Sequence, residues 1–331
     1  TDSGNKNTTG ECNIFIGDCA GQNSTIANNN IFLGQQAGQN FVGDQTFSEN
    51  IMIGYAAGKN FGDDAADVPY WNIIIGSCAA QEGNLNNSVI IGKEAFRCGC
   101  SNGGQHNVFV GSQAGKAGGG SYNAYFGWNA GANNTSSHNT IIGTCAGDIG
   151  DGGASTFVGK YAGRRATGTY NVAFGIYSMC SVTSGCRNVA IGPYALKGSS
   201  SSGNCNIALG YNAGCNQSQG ACNVIIGPNV VNAASDTGSN QLAIGVDDDR
   251  WITGDSSYNV DIPNTLSKGG GSFKIDHPHP TKTNTHFLVH SFIEGPKMDL
   301  LYRGRVNLVA GTATINIDEV SDMTEGTFVL L

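Results

Sequence analysis

A glycine returns fourteen times along this chain, at Gly17, Gly34, Gly54, Gly76, Gly92, Gly111, Gly127, Gly143, Gly159, Gly175, Gly192, Gly210, Gly227 and Gly245, with gaps of 16 to 22 residues. A period so short leaves no room for a self-contained hydrophobic unit. Each copy must therefore bury its apolar residues against the copies before and after it. The fuller grammar is Asn, three residues, Gly, two residues, Ala, and its first half reads NIFIG, NIMIG, NVFVG, NTIIG or NVAIG in different copies.

The three residues between Asn and Gly alternate. The first and third are almost always Ile, Val or Leu, while the middle one ranges over Phe32, Ile74, Tyr125 and Ala190. Alternation with period two is a strand signal, and a strand this short holds only when stacked in parallel on its neighbours. The expected wall is built from the first and third positions. The middle position is expected half-buried on a second face that meets partner chains. Gly after the strand permits a corner closed to other residues. Ala stands three residues later in eleven of the fourteen copies, from Ala20 to Ala213, which requires a tight inward site. The recurrent Asn either stacks its amides in a ladder or hydrogen-bonds the local turn.

About sixteen residues per coil suffice for two brief strands and two bends. Stacked at ~4.8 Å, the coils make a rod roughly 70 Å long. So thin a coil has little interior, and a homotrimer about a shared axis is the economical way to supply one. The fold class expected is thus all-β: a parallel β-roll or β-helix shaft over residues 1–249, a linker over 250–272 ending in Gly269-Gly270-Gly271-Ser272, and a small β domain over 273–331.

Composition agrees. Gly is 50 of 331 residues, about twice the usual share, and charged residues are 13% where about a quarter is common. With 39% hydrophobic residues the chain is no solvated disordered tail. A net charge of −8 provides no basic surface for nucleic acid or anionic lipid, and no run is long enough to span a membrane. The chain starts at Thr1, without a signal peptide, and stops on TFVLL, which reads as a segment cut from a longer protein. Eleven cysteines cannot all pair within one chain, and none forms a zinc-type CxxC pair. Cys205 and Cys222 precede the motif Asn in adjacent copies, so stacking permits a disulfide between them without requiring one; free buried thiols are the simpler reading.

The NxxxGxxAG pattern resembles the head repeats of trimeric autotransporter adhesins, which form a left-handed parallel β-roll trimer. The longer IGxxAGxN form is similar to repeat regions of bacteriophage tail fibres. The likeness spans about residues 11–249, with departures at the 19- to 22-residue copies, at Ser178–Ser181 (SMCS) and at Asn229–Asn232 (NVVN). After residue 272, FKIDHP…LVHSFIEGP…YRGRVNL resembles a module near the C-termini of virion structural proteins of phages that infect cyanobacteria. Here it is read as truncated. The resemblance implies a structural and adhesive part of a phage tail fibre or virion appendage. Its partners would be two further copies of itself, other tail or virion proteins, and a glycan or protein of the host surface, with assembly in the host cytoplasm. A bacterial trimeric surface adhesin is the alternative. A polysaccharide-cleaving tailspike is a third reading, but no pair of acids at glycosidase spacing stands out.

Few residues suggest chemistry. Tyr161, Tyr177 and Tyr194 lie two residues after the Gly in successive coils, a place shared by Cys19, Cys78 and Cys145, and Trp128 and Tyr211 sit one residue earlier in theirs. Such a stripe either binds sugars through its ring faces or stacks on itself and stiffens the rod. His277 and His279, six imidazoles in a trimer, could hold a metal ion on the axis, or HPHP is a simple turn. No other cofactor is expected. His286, His290, Ser291 and Glu294 lack a nucleophile elbow and read as structural polar residues. The longer coils place loops at Gln39–Glu49, Lys59–Trp71 and Arg97–His106, the second carrying Asp63, Asp64 and Asp67, read as a solvated acidic loop rather than a Ca²⁺ site. Asp247, Asp248 and Asp249 are expected to end the stack by charge. No catalytic residue is expected.

Overall fold

The computed structural model describes residues 1–41, 48–62, 69–99, 104–198, 202–264, 272–276 and 287–291, with single positions at 310, 315, 316 and 319. Its named elements are all strands. Sixteen of them form one sheet in which all but the last two run parallel, from Ile14–Ile16 to Leu242–Val246. The protein is a parallel β-solenoid. Motif matches motif without slippage: Phe109 pairs with Tyr125, Tyr125 with Ile141, and Ile141 with Phe157.

Which face of each strand is buried corrects the sequence expectation. The middle residues, among them Phe32, Ile74, Tyr125 and Ala190, are completely buried inside the coil. The constant Ile and Val positions point outward, with Ile14 49%, Ile142 40% and Ile191 45% exposed. The physical reason lies in the opposite wall. The recurrent small residues, Ala20 through Ala213, are also fully buried and leave space across the coil for one variable side chain per turn. Burying each such ring or branched chain contributes roughly 1.5–3 kcal/mol. A face that would meet partner chains is therefore the outer one, not the middle-residue face.

Size is traded within that narrow interior. Gly163 has φ +57, and a Cβ there would sit 2.5 Å from the Phe157 ring, so an aromatic middle residue is matched by glycine at this place. Where the middle residue is Ala173 or Ala190, the equivalent position carries Met179 or Leu196, both buried. The motif glycine is needed for a different reason. At Gly143, with φ +131, a Cβ would meet the carbonyl oxygen of Gly159 at 2.6 Å, so a side chain would push the coils apart.

The two readings of the Asn both hold. The backbone N–H of Asn139 donates to Asn123 Oδ1 at 2.9 Å, and that of Ser155 donates to Asn139 Oδ1 at 2.9 Å, so the amides climb as a ladder. Asn123 Nδ2 meanwhile donates to the Gly119 and Ser136 carbonyls, closing the turn. The second side of each coil is mostly a turn and not a second strand. Ala146 N–H donates back to Gly143 O at 3.3 Å, yet Gly147 N–H reaches the next coil at Ala162 O, 3.0 Å. Two-residue strands are added there in three successive coils among the described residues, Asn60–Phe61 pairing with Glu82–Gly83 and Leu85–Asn86 with Gly104–Gln105.

The end of the stack differs from expectation. Residues 250–264, read as linker, belong to the first compact unit, Thr1–Asn264. Asp249–Gly254 turns back antiparallel to Leu242–Val246, and Val260–Asp261 adds a further antiparallel strand. The β-prone run Trp251-Ile252-Thr253 is a strand signal that a search for the Asn–Gly grammar passes over. Asp247 does not stop the ladder; its Oδ1 accepts from Asn229 Nδ2 at 2.7 Å, and chain reversal closes the sheet. In the second unit, Thr265–Leu331, Ser272–Asp276 pairs antiparallel with Phe287–Ser291.

Candidate functional site

Each coil turns two corners in the left-handed region on ordinary residues, which costs roughly 1–3 kcal/mol per position unless surroundings impose it. One corner lies just before the motif Asn, with Tyr122 at φ 61 and His138 at φ 64; the other lies two residues after the Gly, with Tyr161 at φ 59, Tyr177 at φ 57 and Tyr194 at φ 61. Inter-coil hydrogen bonds impose it: Tyr161 N–H donates to Thr144 O at 3.0 Å, and Tyr122 N–H to Gln105 O at 2.9 Å. Side chains at these corners fan outward in columns at the two margins of the outer sheet face.

The expected tyrosine column forms. Centroids of Tyr161 and Tyr177 are 4.9 Å apart, those of Tyr177 and Tyr194 are 5.5 Å apart with planes 4° from parallel, and Tyr211 meets Tyr194 edge-on at 5.9 Å. The first three rings are half-buried and spend their faces on one another. Free ring surface for stacking a sugar remains at Tyr211, 48% exposed, and at Trp128, 50% exposed. Trp128 lies two coils before Tyr161, and among the described residues no ring contact joins it to the column.

Three cations gather on the column. Lys160 Nζ lies 5.2 Å from the Tyr161 centroid, the Arg164 guanidinium also 5.2 Å from it, and Lys197 Nζ 5.0 Å from the Tyr194 centroid. Arg164 Nε also pairs with Asp148 at 3.2 Å; burial nevertheless pushes the Asp148 carboxyl above its ordinary range. Sequence reasoning fixed on the tyrosines and missed the cations, although a signal was there. No Asp or Glu occurs from residue 152 to 235, while Lys160, Arg164, Arg165, Arg187 and Lys197 all do.

No relative announces itself. Comparison with family models, with curated proteins and with solved structures finds no match.

The other candidates disperse. Cys145 is buried and Cys19 and Cys78 are half-buried, whereas Cys205 and Cys222 are free but exposed, so the permitted disulfide is not made and the expectation of buried thiols fails there. Among the described residues no group of three or more His, Cys, Asp or Glu could hold a metal ion, and no helix is long and apolar enough to cross a membrane. His277, His279, His286, Glu294, Asp63, Asp64 and Asp67 lie outside the described residues. His290 and Ser291 close the Phe287–Ser291 strand.

Two features go beyond the sequence reading, one a new stack and the other the outward exposure of the expected apolar wall. His106, Tyr122 and His138 stack at the other corner, with successive centroids 5.1 Å apart. Between the corners, the outer sheet face from Ile14 to Ile244 carries no charged residue at its two outward positions. At ~4.8 Å per coil and about 10 Å across, that apolar strip covers on the order of 600 Å², the upper end of what a lone soluble protein shows.

Proposed function

We propose that this chain is a structural and adhesive component of a phage tail fibre or related virion appendage, a homotrimer whose solenoid shaft carries a terminal β module toward a host-surface glycan or protein. The observation that carries the reading is the outer sheet face, uncharged through all fourteen parallel strands and apolar but for Thr140 and Thr156. A partner for such a strip must match its ~4.8 Å rhythm along its whole length, and another copy of the same chain does so by construction. Three copies meeting along these strips would bury the outer Ile, Val and Leu residues that each coil leaves exposed. The likeness of the repeats to adhesin heads and phage fibres supports the same arrangement. Attachment then works by geometry and avidity, several weak contacts adding through one stiff support, and no residue is assigned bond-breaking work.

Sedimentation equilibrium on the full chain tests the assembly. The expected mass is three times 34.2 kDa, and a folded single subunit at micromolar concentration would overturn the reading. Adsorption of labelled protein to intact host cells tests the attachment role, and release of new reducing ends from envelope polysaccharide would move the protein among the tailspikes.

A further inference from the structure

The geometry points to an acidic polysaccharide, one bearing uronate, sulfate or phosphate groups, as the ligand of the Tyr161–Tyr177–Tyr194 corner. The inference deepens the attachment reading above and rests on it.

Stacking decides the chemistry. Tyr177 has Tyr161 on one side at 4.9 Å and Tyr194 on the other at 5.5 Å. Ring faces so occupied are closed to pyranose C–H groups and to nucleobases alike, which need an open platform. What a half-exposed stacked column offers solvent is ring edges and phenol hydroxyls. Edges carry the positive part of the aromatic quadrupole, and the hydroxyls donate hydrogen bonds; both suit an anion. Lys160 and Lys197, both exposed, are seated on these same rings, as is Arg164, whose charge is shared with Asp148.

Charge along the chain makes the site local. The whole molecule is at −8, yet no carboxylate side chain occurs between Asp151 and Asp236. An anionic chain lying along the shaft would therefore meet cations and hydroxyls over the coils of Tyr161 to Tyr211, roughly 15–20 Å, with acids at both ends of that stretch. Such a length takes a few sugar residues and disfavours a long duplex, which would run on over the acids.

The test measures binding of the full, assembled chain to polygalacturonate and dextran sulfate, with neutral dextran and duplex DNA as controls. Binding to both acidic polysaccharides is expected, weakening with salt, and none to neutral dextran. Replacing two exposed cations, Lys160→Gln with Lys197→Gln, should weaken binding at least about fivefold, while Lys6→Gln at the far end changes nothing. Tyr177→Phe keeps the stack and removes one hydroxyl, and should weaken binding by about twofold or more. A loss below about twofold in the double-lysine variant, equal binding of neutral dextran, or tighter binding of duplex DNA would overturn the proposal. Cell adsorption separates the two readings. Adsorption that survives the double-lysine variant sinks this site and leaves attachment standing; polysaccharide binding through the site without adsorption to any host does the reverse.

Discussion

Tyr125 is the largest fully buried side chain among the described residues, stacked on Phe109 at 4.8 Å, and its buried hydroxyl makes no well-formed hydrogen bond, apart from a loose approach by the Asn139 side chain. Desolvation raises its pKa well above the usual phenol value. An unpaired buried hydroxyl costs about 1–3 kcal/mol, so Tyr125→Phe should stabilise the shaft by about 1 kcal/mol in denaturant unfolding. The exchange of size between facing positions predicts a coupling. Leu196→Gly should cost about 2–4 kcal/mol through the cavity it leaves, and adding Ala190→Phe should recover most of that loss. Ala190→Phe alone should overpack and destabilise by about 1–3 kcal/mol. Neither pairing is legible in a single repeat, because Ala190 and Leu196 look like drift from the consensus until the coil closes and sets them face to face.

At the scale of the element, the Asn ladder separates interior coils from terminal ones. Asn139 accepts from the Ser155 backbone N–H inside the shaft, so Asn139→Ala leaves a buried donor unpaired and should cost about 1–3 kcal/mol. Asn13, half-exposed in the first described coil, should cost less on the same change, and parallel unfolding curves would show the difference. The last turn of the sheet, between Asp249–Gly254 and Val260–Asp261, is held by Asp255. The Asn259 side-chain amide, then the backbone N–H groups of Asn259 and Ser257, donate to its carboxylate and hold its pKa below the ordinary range. A lowered folded value means that the stabilisation is present above the unfolded carboxylate pKa and is lost as pH falls through the folded one. Acid should therefore lower the amide-exchange protection of Ser257 and Asn259 relative to their intrinsic rates at each pH, and Asp255→Asn should remove that loss. The Asn column could be read from spacing alone; the closing strands could not, because nothing in Asp249–Gly254 follows the repeat grammar.

For the whole molecule, the outer apolar strip governs association. Ile142→Asp, placing a charge on a 40% exposed position in mid-strip, should leave the coil's own core intact yet break the proposed trimer. Sedimentation would register the lost mass. The apparent melting temperature of the unaltered protein should rise with its concentration, as it must when folding and assembly are linked.

The sequence by itself determined that the chain stacks in parallel coils, where each coil turns, and which positions admit only a small residue. Those are local demands of backbone and volume, and each repeat states them again. Only the tertiary structure decided which strand face is inside, because alternation has two faces and both are apolar here. It decided too that the tyrosine rings spend their faces on one another, since distances across coils arise only when residues sixteen or more apart are brought into register.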